Sequence, residues 1–207
     1  IFATSEGAGP AGTIFLDAGS SVVVSDSSTL ISSTTSGKGA GGTITLKAPV
    51  IRVEEGAEIL ATSKGEGDAG RILLDASERG ERVVLSGASR LDATTSGEGK
   101  GGKITLEAPV IRVEGGAELL ADSSGIFATG AGGEISLQAI ESALVSGAST
   151  LISSTTTGKG AGGTITLEAP VVRVEESAQI FATSEGAGDA GSILLNASES
   201  VELSSAS

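Results

Sequence analysis

Apolar and polar residues alternate along this chain in short runs, and the runs recur. In Thr43–Leu46, Ile44 and Leu46 share one side while Thr43 and Thr45 share the other. In Val50–Val53, Ile51 and Val53 face one way and Arg52 the other, and a third run covers Glu58–Thr62. A period of two over four to six residues rich in Val, Ile and Thr is the pattern of a half-buried strand. No stretch shows a helical period, and so much Gly, Ser and Thr would penalise a helix. The pattern therefore predicts three short strands, then a corner, then the same again.

The repeat has two markers. A small residue, Gly, any residue, Ile, any residue, Leu recurs with its Gly at 12, 42, 70, 102, 133, 163 and 191, at spacings of 30, 28, 32, 31, 30 and 28 residues. About half a period later comes a small pair: Ser27-Ser28, Gly56-Ala57, Gly87-Ala88, Gly116-Ala117, Gly147-Ala148, Ser177-Ala178 and Ser205-Ala206. Two repeat types alternate, one beginning at Thr43, Lys103 and Thr164, the other at Arg71, Glu134 and Ser192. The segment from Ile31 matches that from Ile152 almost residue for residue, at an offset of 121, which points to duplication of coil pairs.

Corner chemistry separates the strands. Gly56-Ala57 and its equivalents suit a tight turn with positive φ. Ala-Pro recurs at Pro49, Pro109 and Pro170, between the first and second strands, where a missing amide donor is tolerated. The third corner, Lys64–Gly70, Ser96–Gly102 and Thr157–Gly163, is long and Gly-rich and is expected to bulge outward. Three strands and three corners in about 30 residues make one turn of a solenoid, since a lone turn cannot bury its apolar side. The expected fold is all-β: a parallel β-helix of about seven coils, three short strands per coil, stacked at ~4.8 Å into a rod of roughly 33 Å. Ile44 should then lie over Ile72, and Ile72 over Ile104. A β-prism or propeller is the alternative, but propeller blades need ~40 residues and usually aromatic signatures.

Composition sharpens the picture. Gly fills 32 of 207 positions, Phe is the only aromatic with 4 copies, and Trp, Tyr, Met, His and Cys are absent, yet 39% of the chain is hydrophobic. A core is available, but a thin one of small aliphatics. The net charge of −13 and pI of about 4.4 disfavour nucleic acid and anionic membranes as partners. No apolar run reaches the ~18 residues of a membrane span. Residue 1 is Ile and no signal peptide opens the chain, so it reads as a mature or excised segment.

Gly56 to Leu74, Gly-Ala-Glu-Ile-Leu-Ala-Thr-Ser-Lys-Gly-Glu-Gly-Asp-Ala-Gly-Arg-Ile-Leu-Leu, resembles the repeats of filamentous-haemagglutinin-like proteins, most closely the large cyanobacterial members. The resemblance covers all seven turns. It implies a right-handed parallel β-helix exported by two-partner secretion, extracellular or on the cell surface, with adhesive or fibre-forming roles toward host or neighbouring-cell glycans or proteins. The amino-terminal secretion domain of that family carries Asn-Pro motifs. This chain has none, so it resembles the shaft.

The residues offer little for catalysis. There is no His to serve as base. Glu54 and Glu55 form a carboxylate pair of the kind glycosidases use, but adjacent acids at a corner read as solvated charge. Pectin-cleaving β-helices have charged clefts, whereas the extra residues near Gly125–Gly130 carry no charge. The chain is read as a non-enzyme with no catalytic, cofactor-binding or metal-ligating residue and no cofactor. The alternative is a calcium- or glycan-binding module using the Gly-rich loops Gly65–Gly70 and Gly186–Gly191, with Asp68 and Asp189 as oxygen donors. Their period near 30 differs from that of calcium nonapeptides, and Asp68 aligns with Pro10, Lys100 and Ala161 in other turns. Thr43/Thr45 and Thr164/Thr166 resemble an ice-binding ladder, but Thr13/Phe15, Arg71/Leu73, Lys103/Thr105 and Glu134/Ser136 break it. Arg52, Arg112 and Arg173, near Glu54, Glu114 and Glu175, are expected to form cross-turn ion pairs.

The repeat frame runs through both ends. Ile1–Ser5 equals Ile180–Ser184, and Ser205-Ala206-Ser207 is the corner that precedes that strand. The chain is therefore expected to be one β-helical domain, 1–207, that is a window of a longer β-helix or a subunit stacking end to end into a fibre.

Overall fold

The computed structural model describes residues 1–78, 81–125 and 129–205. Part of the insertion near Gly125–Gly130 and the closing Ala206 and Ser207 lie outside them. In chain order the strands are β1 (Thr13–Asp17), β2 (Ser21–Val24), β3 (Leu30–Ser32), β4 (Thr43–Lys47), β5 (Val50–Val53), β6 (Glu58–Leu60), β7 (Arg71–Asp75) and β8 (Arg82–Leu85). There follow β9 (Arg90–Asp92), β10 (Lys103–Glu114), β11 (Glu118–Leu120), β12 (Glu134–Ser146), β13 (Leu151–Ser153), β14 (Thr164–Glu175), β15 (Gln179–Phe181) and β16 (Ser192–Leu203). No helix occurs among the described residues, and all strand pairs are parallel.

The molecule is a β-solenoid with three faces. The first runs β1-β4-β7-β10-β12-β14-β16. The second is β2, β5 and β8 continued by the later halves of β10, β12, β14 and β16. The third runs β3-β6-β9-β11-β13-β15. The first two faces are seven strands deep and the third six, so about six turns close completely, close to the expected seven. Each strand meets its equivalent about 30 residues away, and Ile44 pairs with Ile72 and Ile72 with Ile104.

In the coils from β10 onward, the first and second strands merge into one long strand. The corner survives there as a register shift, at Ala108/Val110 and Ala169/Val171. Pro109 and Pro170 sit at these shifts, where a strand can lack a donor without breaking the ladder.

The core is a bundle of columns. Ile44, Ile72, Ile104, Ile135 and Ile165 form one, Leu46, Leu74, Leu106, Leu137 and Leu167 the next, and all are fully buried. Ile51, Val83, Ile111, Ala143 and Val172 supply the second face. Each strand thus contributes alternate residues to a dry, continuous interior while its backbone pairs above and below, so burial and hydrogen bonding act together along the axis.

Candidate functional site

The Gly-rich third corner is the feature in which the sequence placed its binding alternative, and its glycines stack closely from coil to coil. Backbone amides bond from coil to coil straight through it: Gly41 to Asp68, Ala69 to Lys100, and Gly101 to Ala131, at 2.9, 2.9 and 3.0 Å. A Cβ built at Gly37, Gly65, Gly97 or Gly186 would overlap the carbonyl of the glycine one coil earlier, and the same holds for Gly39, Gly67, Gly99, Gly130, Gly160 and Gly188. None of these glycines has positive φ. Their requirement is for space between stacked backbones.

Beneath the corner runs a column of hydroxyls that the sequence reading missed. Ser5, Thr35, Ser63, Thr95, Ser123, Thr156 and Ser184 bridge successive coils. The five inner members are almost wholly buried. Each hydroxyl from Ser63 onward donates to a glycine carbonyl of the preceding coil, as Ser123 does to Gly99 at 2.9 Å and Ser184 to Gly160 at 3.1 Å. The signal was present as a Ser or Thr two residues ahead of the first corner glycine in every repeat. It is legible only once the glycine carbonyls of the preceding coil are seen to accept from these hydroxyls. Each coil is also latched within itself: the amide of Gly42 bonds to the carbonyl of Ser33, Gly70 to Ala61, Gly102 to Ala93 and Gly163 to Ser154.

Asp68 and Asp189 sit in the same outer column but four coils apart, ~19 Å. The Asp68 carboxylate accepts the amide of Lys100 at 2.8 Å. Among the described residues no group of three or more acids could hold a metal ion. Glu54 is engaged by Arg52 at 3.1 Å, and Glu55 occupies a turn position with φ of 57°. The three arginines of the second face bind the glutamate two residues ahead in their own coil, Arg52–Glu54 at 3.1 Å, Arg112–Glu114 at 3.8 Å and Arg173–Glu175 at 3.6 Å. The expected cross-turn pairing is met only by Arg173, which also reaches Glu202 at 2.7 Å. The ladder sets Glu202 directly opposite Arg173 but Val84 beside Arg52 and Leu144 beside Arg112, so those two turn to the glutamate of their own coil.

The chain matches no protein-family model, no curated protein and no solved structure. Its chemistry must therefore be judged on the surfaces themselves. The corner between first and second strands holds a recess of about 90 Å³ lined by Asp17, Lys47, Pro49, Asp75 and Glu78. The Lys47 ammonium lies 2.9 Å from Glu78 and 3.8 Å from Asp75, and these acids hold the lysine above its ordinary range, the Glu78 hydrogen bond foremost. Sites for small ligands are typically ≈ 300–1,000 Å³, so this recess suits a solvated ion pair.

One acid is unusual. Asp122 stands in an outer row of the third face otherwise held by Thr34, Thr62, Thr94, Thr155 and Thr183. It accepts the amide of Thr155 at 2.7 Å and the hydroxyl of Ser153 at 2.8 Å, both in the next coil. Burial pushes its carboxyl above the ordinary Asp range, against these hydrogen bonds, and the neighbouring Asp92 carboxylate pushes the same way. Asp92 is itself buried and bound to Arg90 at 2.8 Å. This group ties one coil to the next.

Proposed function

We propose that the chain is the shaft of an extracellular or cell-surface protein of filamentous-haemagglutinin type: a structural, adhesive rod that performs no catalysis. The observation that carries this reading is the continuity of the ladders. The complete coils are joined one to the next on three faces and through the glycine corner, and the core columns run through them. Parallel pairing along the axis resists extension by loading many hydrogen bonds at once, the property a spacer needs.

The columns stay open at the terminal coils. Ile193 and Val201 are 46% and 44% exposed, whereas their ladder partners Ile165 and Val172 are fully buried. A further coil laid on that edge would cover them. No described helix is long and apolar enough to cross a membrane. Export by two-partner secretion and contact with cell-surface glycans or proteins belong to the same proposal and rest on the repeat resemblance.

Electron microscopy of the purified chain, with and without a calcium chelator, tests the proposal. Unbranched rods that survive chelation are expected. Short discrete particles, or rods that melt when calcium is withdrawn, would shift the reading to a binding module built on the Asp68 and Asp189 corners.

A further inference from the structure

The outer surface of β7 and β10 carries an arrangement that sheets ordinarily avoid. Alternation buries Ile72, Leu74, Ile104 and Leu106, so Arg71, Leu73 and Asp75 face outward beside Lys103, Thr105 and Glu107. The register pairs Arg71 with Lys103 and Asp75 with Glu107. Two cations thus stand side by side at one edge of the first face and two anions at the other, each pair ~4.8 Å apart. Like charges directly opposite in a ladder are destabilising. Lys103 is compensated by Glu134 at 2.6 Å and Asp75 by Lys47 at 3.8 Å, while among the described residues Arg71 and Glu107 form no ion pair.

We infer that the first face is a lateral docking surface for a second copy of this chain, lying parallel and in register. The charges of this face are complementary under one particular symmetry. A two-fold axis parallel to the rod, between two facing first faces, reverses strand direction but keeps coil order. Each residue at a strand's start then meets the residue at the same strand's end in the other copy. Arg71 meets Asp75 and Lys103 meets Glu107, twice over by symmetry. At the remaining levels one member of each facing pair is uncharged, so no like charges are set together. The central row faces itself and is uncharged; Phe15 and Leu194, in its terminal coils, are each more than half exposed, while Thr105 and Ser136 between them are buried. The antiparallel alternative, with the axis across the rod, sets each edge against itself: at full overlap Arg71 meets Glu134 and Lys47 meets Glu168, but Lys103 and Glu107 are each set against their own copy. At full overlap the parallel arrangement alone is free of like-charge contacts.

The face measures ~16 by ~33 Å, on the order of 500 Å² per copy, against ≈ 800 Å² per partner for a standard stable interface. Pairing of this length of rod is weak, and it strengthens with every added coil. The net charge of −13 opposes it at long range. Near 0.15 M salt, with a Debye length of ≈ 8 Å, that repulsion is largely screened while direct contacts persist.

Sedimentation velocity over a concentration series in that salt tests the inference, with circular dichroism melts confirming that each variant is folded. The wild-type chain is expected to self-associate. The double variant R71E/K103E, and separately D75K/E107K, should each associate more than about tenfold more weakly. An equimolar mixture of the two should regain association, because reversed edge then meets reversed edge. A wild type that stays monomeric, or a mixture no heavier than its components, overturns the inference.

Discussion

Ser123 donates its hydroxyl to the carbonyl oxygen of Gly99, 2.9 Å away in the preceding coil. Through that contact the buried column and the glycine corner become one device: the hydroxyl satisfies a backbone carbonyl from inside while the glycines allow the backbones to close over it. Gly97→Ala should therefore be costly although its φ is ordinary, because the added methyl would overlap the carbonyl of Gly65. About 1–3 kcal/mol or more is expected for such overpacking. Gly19→Ala, where nothing lies within 4 Å, should change stability by less than about 0.5 kcal/mol. Chemical denaturation of both variants checks the contrast.

An orphaned hydroxyl gives the opposite sign. Ser89 is fully buried and its Oγ has no partner. Equivalent positions hold Ala57, Ala117 and Thr150, and Thr150 is satisfied, donating to the Ser146 carbonyl at 2.6 Å and accepting from the Gly116 amide at 3.1 Å. Ser89→Ala should stabilise by about 1 kcal/mol, since an unmade buried hydrogen bond costs roughly 1–3 kcal/mol. Thr150→Ala should destabilise by about 1–2 kcal/mol. Equal losses in the two melts would refute the account.

The coil was legible in the sequence because its periods are. Alternation of Ile44 and Leu46 with Thr43 and Thr45 announces a strand, and seven evenly spaced glycines announce stacking. The close stacking of the glycine corner was not legible for a physical reason. Gly, Ser and Asp are turn residues and also residues of closest backbone approach, and composition alone does not separate the two. Only the coil-to-coil overlap at Gly65 and Gly97 does. The ion pairs of Arg52 and Arg112 were misplaced because the two repeat types alternate: the next coil sets Val84 beside Arg52 and Leu144 beside Arg112, which leaves Glu54 and Glu114 of their own coils as partners. Asp122 went unnoticed because one Asp among threonines looks like surface variation until its burial is seen.

The second corner tests backbone strain. Gly87 and Ala88 both lie in the left-handed region, at φ of 61° and 59°, as do Glu55 at 57° and Glu176 at 54°. A side chain in that region costs roughly 1–2 kcal/mol, and glycine escapes most of it at some cost in unfolded-state entropy. Ala88→Gly and Glu176→Gly should each raise stability by a few tenths to about 1 kcal/mol. Gly87→Val should lower it by more than that, read as a fall in the denaturation midpoint.

Two acids should give pH dependences of opposite sign. Asp122, raised by burial from its ordinary 3.8, binds a proton more tightly folded than unfolded. Its contribution is fully present below 3.8 and is lost as pH rises through the higher folded value. Asp122→Asn keeps an oxygen to accept from Thr155 and Ser153 without the buried charge, so it should gain on the wild type as pH climbs from about 4 toward neutrality. For Asp75, burial is the largest single influence and pushes upward. It is outweighed by the Ser77 hydroxyl and amide at 2.6 and 3.0 Å, with Lys47 assisting, so the carboxyl falls below its ordinary 3.8. Its contribution is present above 3.8 and disappears as pH falls through the lowered value. Asp75→Asn should therefore be less stable than the wild type at neutral pH, and the gap should close on acidification. Denaturation curves of the three proteins from about pH 3 to about pH 7, on both sides of the ordinary Asp range, decide the matter. Parallel responses of the two variants would show that the third-face acid is not held by its neighbours in the way its contacts with the next coil require.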